Sequence, residues 1–341
     1  MASFKGLLSI VRSTSNFWVA FGLRNSQAAK TIKYRNGVAV KVDYAQFVML
    51  RDWFEHLHAH SFAVKKADAG YVIRGLKNPD FKLQTNSILT VKSLFEFLEQ
   101  LTSQGWSFKQ TENLYRLNRK DTEYIVEQLD TNLYSIKGKV KILGPAETLM
   151  VYFCDCLAGL YDNDYQNKTV LDVGGFCGET AVYFSSMGAA KVVIYEPVLA
   201  HHDLIKQNIE ANNVNAEVHA EGIGEKTCSK TIHYDSLNIA FGLTNTGQNE
   251  TNIKLRNVSE ALLESKADIA KIDCEGAETS LTGVAQDTLR KIGFYFIETH
   301  TPEIQKAIIQ KFLESGFTVA RQPLEFNKDI AMLYFKRTEP Q

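Results

Sequence analysis

From about Thr169 onward the chain alternates short β-branched apolar runs with stretches of helical spacing. The runs are "TVLDVG", "KVVIYEP", "AEVHAEG", "DIAKIDCEG", "GFYFIETH", "FTVAR" and "AMLYFKR". Between them lie "GETAVYFSSMGA", "LAHHDLIKQNIEANN", "VSEALLES" and "TPEIQKAIIQKFLESG", whose apolar residues recur every third or fourth position. Continuous apolar strands separated by helices predict an α/β fold with a mostly parallel sheet covered on both faces. The last two runs are joined by "QPLEFNKD" without a helix, which predicts an antiparallel hairpin at or near the sheet edge.

Ahead of residue 143 the pattern changes. "TIKYRNGVAVKVDY" predicts a hairpin turning at Asn36-Gly37, since Asn and Gly tolerate the positive φ of a tight turn. "AQFVMLRDWFEHLHAH" and "TVKSLFEFLEQLTSQG" have helical spacing, while "SFAVKKADAGYVIRG" and "WSFKQTENLYRLNRK" read as strands with turns. The expected division is an α+β accessory region over 1–142 and an α/β domain over 143–341, joined by a helix over 143–161. The opening "MASFKGLLSIVRSTSNFWVAFGLR" is expected to be an amphipathic helix docked on its own protein, with surface attachment to a membrane as the lesser alternative.

Composition supports a packed chain: 341 residues with 45% apolar content can bury a large core. No apolar run reaches the roughly eighteen residues that a spanning helix needs. The five cysteines fit neither a disulfide framework nor a zinc knuckle, and reduced thiols in a cytoplasmic protein are expected. The net charge of -1 conceals an asymmetry, with 21 Lys+Arg against 12 Asp+Glu over residues 1–145 and 17 against 27 thereafter. Such a basic front half either faces an anionic partner or complements the acidic half internally.

The first strand runs into Asp172-x-Gly174-x-x-x-Gly178. Ligands of open α/β sheets sit at the carboxyl ends of the strands, where this turn lies. The dinucleotide fingerprint G-x-G-x-x-G fails here, and no Gly-Lys-Ser/Thr of a phosphate loop follows. What remains suits a ligand with a cationic amino-acid end and no phosphate, and S-adenosyl-L-methionine is such a ligand. Gly174 would let its methionine part approach the backbone, and Asp172 would orient the turn or meet the ammonium group. Glu196, 24 positions beyond Asp172 and followed by Pro197, is placed to accept both ribose hydroxyls or to cap the following helix.

"VLDVGGFCGETAVYF", "VVIYEP", "NIEANNV", "IAKIDCEGAE" and "FIETH", in that order, resemble the FkbM-type methyltransferases of the seven-stranded, Rossmann-like S-adenosylmethionine-dependent class. The resemblance spans about residues 140–337. Gly175 stands where Ala is usual and Glu179 where Asp is usual, while the aromatic Phe176 agrees with the family. It implies methyl transfer, typically to hydroxyl oxygens of sugars or small metabolites. Asp172, Gly174 and Gly178 would then hold the methionine end with Gly175 and Phe176 in the same turn. Glu196 and Pro197 would face the ribose, Glu221 and Gly222 the adenine, and Asp273 the donor from the fourth strand.

Amine methyltransferases of nucleic acid often carry D/N-P-P-Y/F at that fourth strand, and this chain has Asp273-Cys274-Glu275-Gly276 instead. Oxygen is therefore the favoured acceptor, and its proton must be removed as the methyl is attacked in line. Asp273, Glu275 and His300 are the candidate catalytic residues, His300 as a base titrating near neutrality without a large shift. With Glu278 and Glu298 they also resemble a divalent-metal constellation, although Glu278 equally suits a first-turn acid and Glu275 a turn anchor, and no metal is assigned. His56, His58, His60 and the pair His201-His202 are read as solvated or core-edge histidines. Three functions stand: a hydroxyl methyltransferase for a small molecule or sugar, an RNA methyltransferase gripping phosphates with its basic front, and a non-catalytic cofactor-binding module.

Overall fold

The structure, a computed structural model, describes residues 30–34, 38–42, 44–59, 62–67, 70–75, 82–85, 88–130, 133–234 and 249–338. The expected N-terminal amphipathic helix and the Asn36-Gly37 turn lie outside these residues. The chain divides into two compact units, Met1–Glu99 and Gln100–Gln341.

In the first unit β1 (Lys30–Lys33) pairs antiparallel with β2 (Ala39–Val42), followed by α1 (Tyr44–Ala59). Then β3 (Phe62–Ala67), β4 (Gly70–Gly75) and β5 (Lys82–Thr85) form a three-stranded antiparallel sheet, and α2 (Ile88–Ser103) follows, its last turn counted with the second unit. Trp53 of α1 and Phe62 of β3 both meet the ring of Phe95, at centroid distances of 6.4 and 4.8 Å. Aromatic payloads of this kind dominate the energetics of a small core.

The second unit begins with an antiparallel meander of β6 (Ser107–Thr111), β7 (Leu114–Arg119), β8 (Thr122–Asp130), β9 (Leu133–Lys137) and β10 (Lys141–Gly144). The residues over 143–161, expected as one helix, make a single α-helical turn, α3 (Ala146–Leu149), that widens into a π-helix over Met150–Cys156. Cys154 and Cys156 are buried in it as free thiols. Trp106 and Tyr124 of the meander pack edge-on against Phe153 of the π-helix, at 5.5 and 5.2 Å. The meander thus shares a core with the α/β part, and residues 100–142 belong to the second unit rather than to the front one.

The α/β part runs β11 (Thr169–Val173), α4 (Glu179–Ser186), β12 (Lys191–Tyr195), α5 (Leu199–Ala211), β13 (Ala216–His219), β14 (Gly222–Gly224), β15 (Cys228–Tyr234), β16 (Asn249–Asn257) and α6 (Val258–Ser265). It continues through β17 (Ile269–Ile272), a 3-10 turn over Ala277–Gly283, α7 (Gln286–Leu289), β18 (Phe294–Thr299), α8 (Pro302–Glu314), β19 (Phe317–Val319), β20 (Leu324–Glu325) and β21 (Ala331–Arg337). The main sheet has the order β13-β12-β11-β17-β18-β21-β19. β13, β12, β11, β17 and β18 are parallel, and β21 inserts antiparallel between β18 and β19 as the expected edge hairpin. Two-residue β20 pairs with β21, which makes eight strands where seven were expected. "NETNIKLRN" was not read as a strand, yet as β16 it joins β14 and β15 in a separate three-stranded sheet. Its alternating polar residues suit a half-exposed ribbon rather than a buried parallel strand.

Asn208 of α5 and Asn212 at its C-terminal cap tie the meander to the sheet. Asn208 accepts from the backbone N–H of Leu143 at 2.7 Å and donates to its carbonyl at 2.8 Å, and Asn212 does the same for Lys141 at 2.9 and 2.6 Å. Side-chain amides thereby pair the free edge of β10 as another strand would, which removes an open edge. The Asn208 amide also donates to the Cys177 carbonyl at 2.7 Å, inside the glycine turn. Among the described residues no helix is long and apolar enough to cross a membrane.

Candidate functional site

Strand order reverses at β11, whose neighbours β12 and β17 leave it on opposite sides, so a crevice opens at the carboxyl end of β11. The turn after Val173 fills it. Gly174 and Gly175 both donate their N–H to the Tyr195 carbonyl, at 2.9 and 3.3 Å, which folds the turn over the end of β12. Gly174 has φ +77°, and a Cβ there would lie 1.8 Å from the Asp273 carbonyl oxygen, so no side chain fits. At Gly175 the obstruction is the Ile194 side chain, 2.3 Å from where a Cβ would stand. Gly178, with φ +82°, caps α4, and between them Phe176 adopts φ +45°.

Asp172 sits behind this turn. Its side chain is fully buried and accepts from Thr180 Oγ1 at 2.5 Å. Its other oxygen lies 3.2 Å from Lys271 Nζ, a charge contact more than an aligned hydrogen bond. Lys271, which the sequence reading did not single out, is equally buried. Its ammonium donates to the Gly174 carbonyl at 2.8 Å and lies 3.6 Å from Asp273 Oδ2. Burial alone would drive it toward neutrality, but the Asp172 and Asp273 carboxylates outweigh that and hold its pKa above the ordinary lysine value. Asp172 therefore orients the turn through Thr180 and Lys271 and does not face the crevice.

A cavity of about 250 Å³ opens in front of the turn. Gly174, Phe176 and Thr180 line its floor, and Glu196, Pro197 and Gly222 one wall. Ile223, Ile232, Ile253 and Leu255, from the small β14-β16-β15 sheet, make one side apolar. Glu147, Glu179 and Lys271 also line it, and Asp273, Cys274 and Glu275 contribute the rim at the end of β17. Asp172, Gly175, Gly178 and Glu221 are not among the lining residues; the first three build the turn, and Glu221 immediately precedes Gly222.

Glu196 is buried in the wall and already engaged. Phe176 N–H donates to its Oε2 at 3.0 Å, and Val198 N–H and His201 Nδ1 donate to Oε1 at 2.9 and 3.2 Å. One carboxylate thus ties the glycine turn to the residue that precedes α5, while its face toward the cavity keeps acceptor capacity. His201, expected as solvated or core-edge, is buried, lines the cavity and packs edge-on against the Phe176 ring at 4.8 Å. His202 donates to the Glu196 carbonyl at 2.8 Å, whereas His56 is half-exposed and faces Glu99 at 3.0 Å.

At the ends of β17 and β18 the five expected residues do converge. His300 Nδ1 and its backbone N–H both donate to Glu278 Oε1 at 3.0 Å. Its Nε2 lies 3.5 Å from Glu275, 3.5 Å from Glu298 and 3.9 Å from Asp273. Glu278, fully buried, also accepts from Gly276 N–H at 2.7 Å. Burial opposes a charged His300, but the bonds to Glu278 and Glu298 prevail and push its pKa up to about 11. Against the expectation of a histidine titrating near neutrality, the surrounding carboxylates favour the charged ring. Burial raises Glu298 to about 7, Asp155 of the π-helix to about 7, and Glu275 above the usual carboxylate range. Asp273, Glu298 and His300 bring one ligand-type atom each within 4.8 Å of one another, a spacing a divalent cation can span. An imidazolium is not a ligand, so a cation there must first displace its proton.

No protein-family model matches this chain, and no curated protein matches it. Solved structures do. Fibrillarin from Aeropyrum pernix, in complex with natively bound S-adenosyl-L-methionine, has 12% identity and a TM-score of 0.38, covering 67% of this chain and 97% of that one. Ribosomal protein L11 methylase from Lactobacillus delbrueckii subsp. bulgaricus has 14% identity and a TM-score of 0.35, covering 57% and 81%. The fibrillarin pre-rRNA processing protein of Methanococcus jannaschii has 12% identity and a TM-score of 0.37, covering 68% and 97%.

Proposed function

We propose that this chain is an S-adenosyl-L-methionine-dependent methyltransferase, of FkbM type by its motifs, that methylates a hydroxyl oxygen of a small molecule or sugar. The observation that carries this reading is the cavity at the carboxyl end of β11, whose turn excludes any Cβ at Gly174 and offers no phosphate cradle. Its composition fits the cofactor along its length. The apolar side made by Ile223, Ile253 and Leu255 suits the adenine, Glu196 the ribose, and the carboxylate-lined part near Glu179 the cationic amino acid. A cavity of this size suits one small ligand rather than a macromolecular segment.

When bound, the cofactor would supply a methyl group on a sulfonium, already electrophilic. The protein must align an oxygen behind it and take the proton. Asp273 and Glu275 line the rim from which an acceptor would enter, and we assign proton removal to Glu275, whose raised pKa makes it a stronger base than a solvated carboxylate. His300 serves as a positioning residue, an imidazolium that keeps the carboxylates of β17 and β18 facing one another. The exchange of a D/N-P-P-Y/F segment for Asp273-Cys274-Glu275-Gly276 favours oxygen over a base amine.

Incubation with methyl-labelled cofactor and fractionated cell extract tests the reading. Label in small metabolites or glycans supports it. Label confined to RNA would replace the acceptor class, and label in no fraction would contradict the enzymatic role.

A further inference from the structure

Glu179 stands apart from the other carboxylates of the cavity. It is the first residue of α4, lines the cavity and is only 2% exposed. Its Oε2 accepts from Cys177 N–H at 3.1 Å. Among the described residues no cationic nitrogen lies within the 4.0 Å of an ion pair with it. The nearest candidate by topology, Lys271, lines the same cavity but is committed to the Gly174 carbonyl, Asp172 and Asp273. Asp172 itself is turned away, held between Thr180 and Lys271. Beside the glycine turn, the buried acid that lines the cavity is therefore Glu179 and not the strand-end aspartate.

A carboxylate so placed is costly to ionise without a counter-charge. The groups that act on Glu179 from the surrounding elements are Lys271 on β17, Asp172 on β11, Cys177 in the turn and Cys156 on the π-helix. Burial is the largest influence and Asp172 adds to it. Its own backbone N–H, Lys271 and the Cys177 N–H only partly offset them, and the pKa is raised to about 8. At neutral pH the empty cavity thus holds Glu179 mainly as the neutral acid. An ammonium arriving beside it changes the balance, because an opposite charge at contact favours the ionised form.

Resting on the reading of the cavity as a cofactor site, we propose that Glu179 is the counter-charge for the ammonium of the ligand's amino-acid end, and that it releases its proton to solvent as that group binds. Glu147, lining the same cavity from α3, adds to the negative field that selects a cationic end. The consequence is a binding reaction linked to proton release, in which affinity rises with pH until Glu179 is already ionised in the free protein.

The test is calorimetry near pH 7 in two buffers of different ionisation enthalpy, with S-adenosylhomocysteine and with 5′-methylthioadenosine, which keeps the adenosine but lacks the amino acid. Wild-type protein is expected to release close to one proton per S-adenosylhomocysteine and none with 5′-methylthioadenosine. Glu179→Gln should weaken S-adenosylhomocysteine by about tenfold or more, abolish its proton release and leave 5′-methylthioadenosine unchanged, which also shows that the variant is folded. Unchanged S-adenosylhomocysteine affinity in the variant, or no proton release in the wild type, overturns the proposal even where both ligands bind. If the wild type binds neither ligand, it is the cofactor reading that fails, and this inference with it. Should the variant not fold, the wild-type proton count decides alone.

Discussion

Lys271 Nζ lies 2.8 Å from the carbonyl oxygen of Gly174, so a buried ammonium from β17 holds the glycine turn that follows β11. The same nitrogen faces Asp172 at 3.2 Å, and the two side chains form one buried charge pair beneath the cavity. Removing one partner of such a pair strands the other, at a cost of about 3–5 kcal/mol. Lys271→Met should therefore lower unfolding stability by about that amount in urea titrations, and Lys271→Met with Asp172→Asn should recover part of the loss. A single variant within about 1 kcal/mol of the wild type would show that the pair does not hold the turn.

Gly174 and Gly178 both have positive φ, but they differ in what surrounds them. A Cβ at Gly174 would stand 1.8 Å from the Asp273 carbonyl, whereas at Gly178 the nearest atom is 3.5 Å away. Gly178→Ala should cost about 1–2 kcal/mol of stability, from left-handed backbone strain alone, and retain cofactor binding. Gly174→Ala should push the turn off the end of β17 and lower cofactor affinity at least about tenfold. Equal effects of the two substitutions on affinity would contradict the close approach.

His300 is expected to remain doubly protonated at pH 8, with both ring nitrogens carrying hydrogen in long-range nitrogen-proton NMR spectra. Its folded pKa, about 11, is above the ordinary 6.5, so the imidazolium stabilises the fold fully below about pH 6.5. That contribution declines as pH rises and is gone above about 11. The stability gap between wild type and His300→Gln should accordingly narrow steadily as pH rises above 6.5. A gap independent of pH, or a neutral His300 ring at pH 8, would remove the imidazolium from the site.

The parallel strands were legible in the sequence because each is a short apolar run bounded by a helix, and all seven quoted runs from "TVLDVG" to "AMLYFKR" form strands of the main sheet. The glycine turn was legible for the same local reason, since strand, acid and glycine follow one another. β16 was not, because its alternating polar residues depend on partners distant in sequence, β14 and β15. Long-range pairing also hid the assignment of residues 100–142, which rests on Asn208 and Asn212 reaching β10 from more than sixty positions away. At the site, the acids and His300 were visible as residue types, but their charge states were not. Four carboxylates around one imidazole reverse the protonation that an isolated histidine would have. Lys271 escaped notice because a lysine inside an apolar strand reads as an interruption; only the fold shows Asp172 opposite it.

The most direct measurement is a crystal structure of the protein with S-adenosylhomocysteine. The adenosine should lie against Pro197, Gly222 and Ile223 with its ribose at Glu196, and the amino-acid end should rest over Gly174 with its ammonium at Glu179. Density for the ligand anywhere other than this cavity, or an amino-acid end directed away from the glycine turn, would contradict the account.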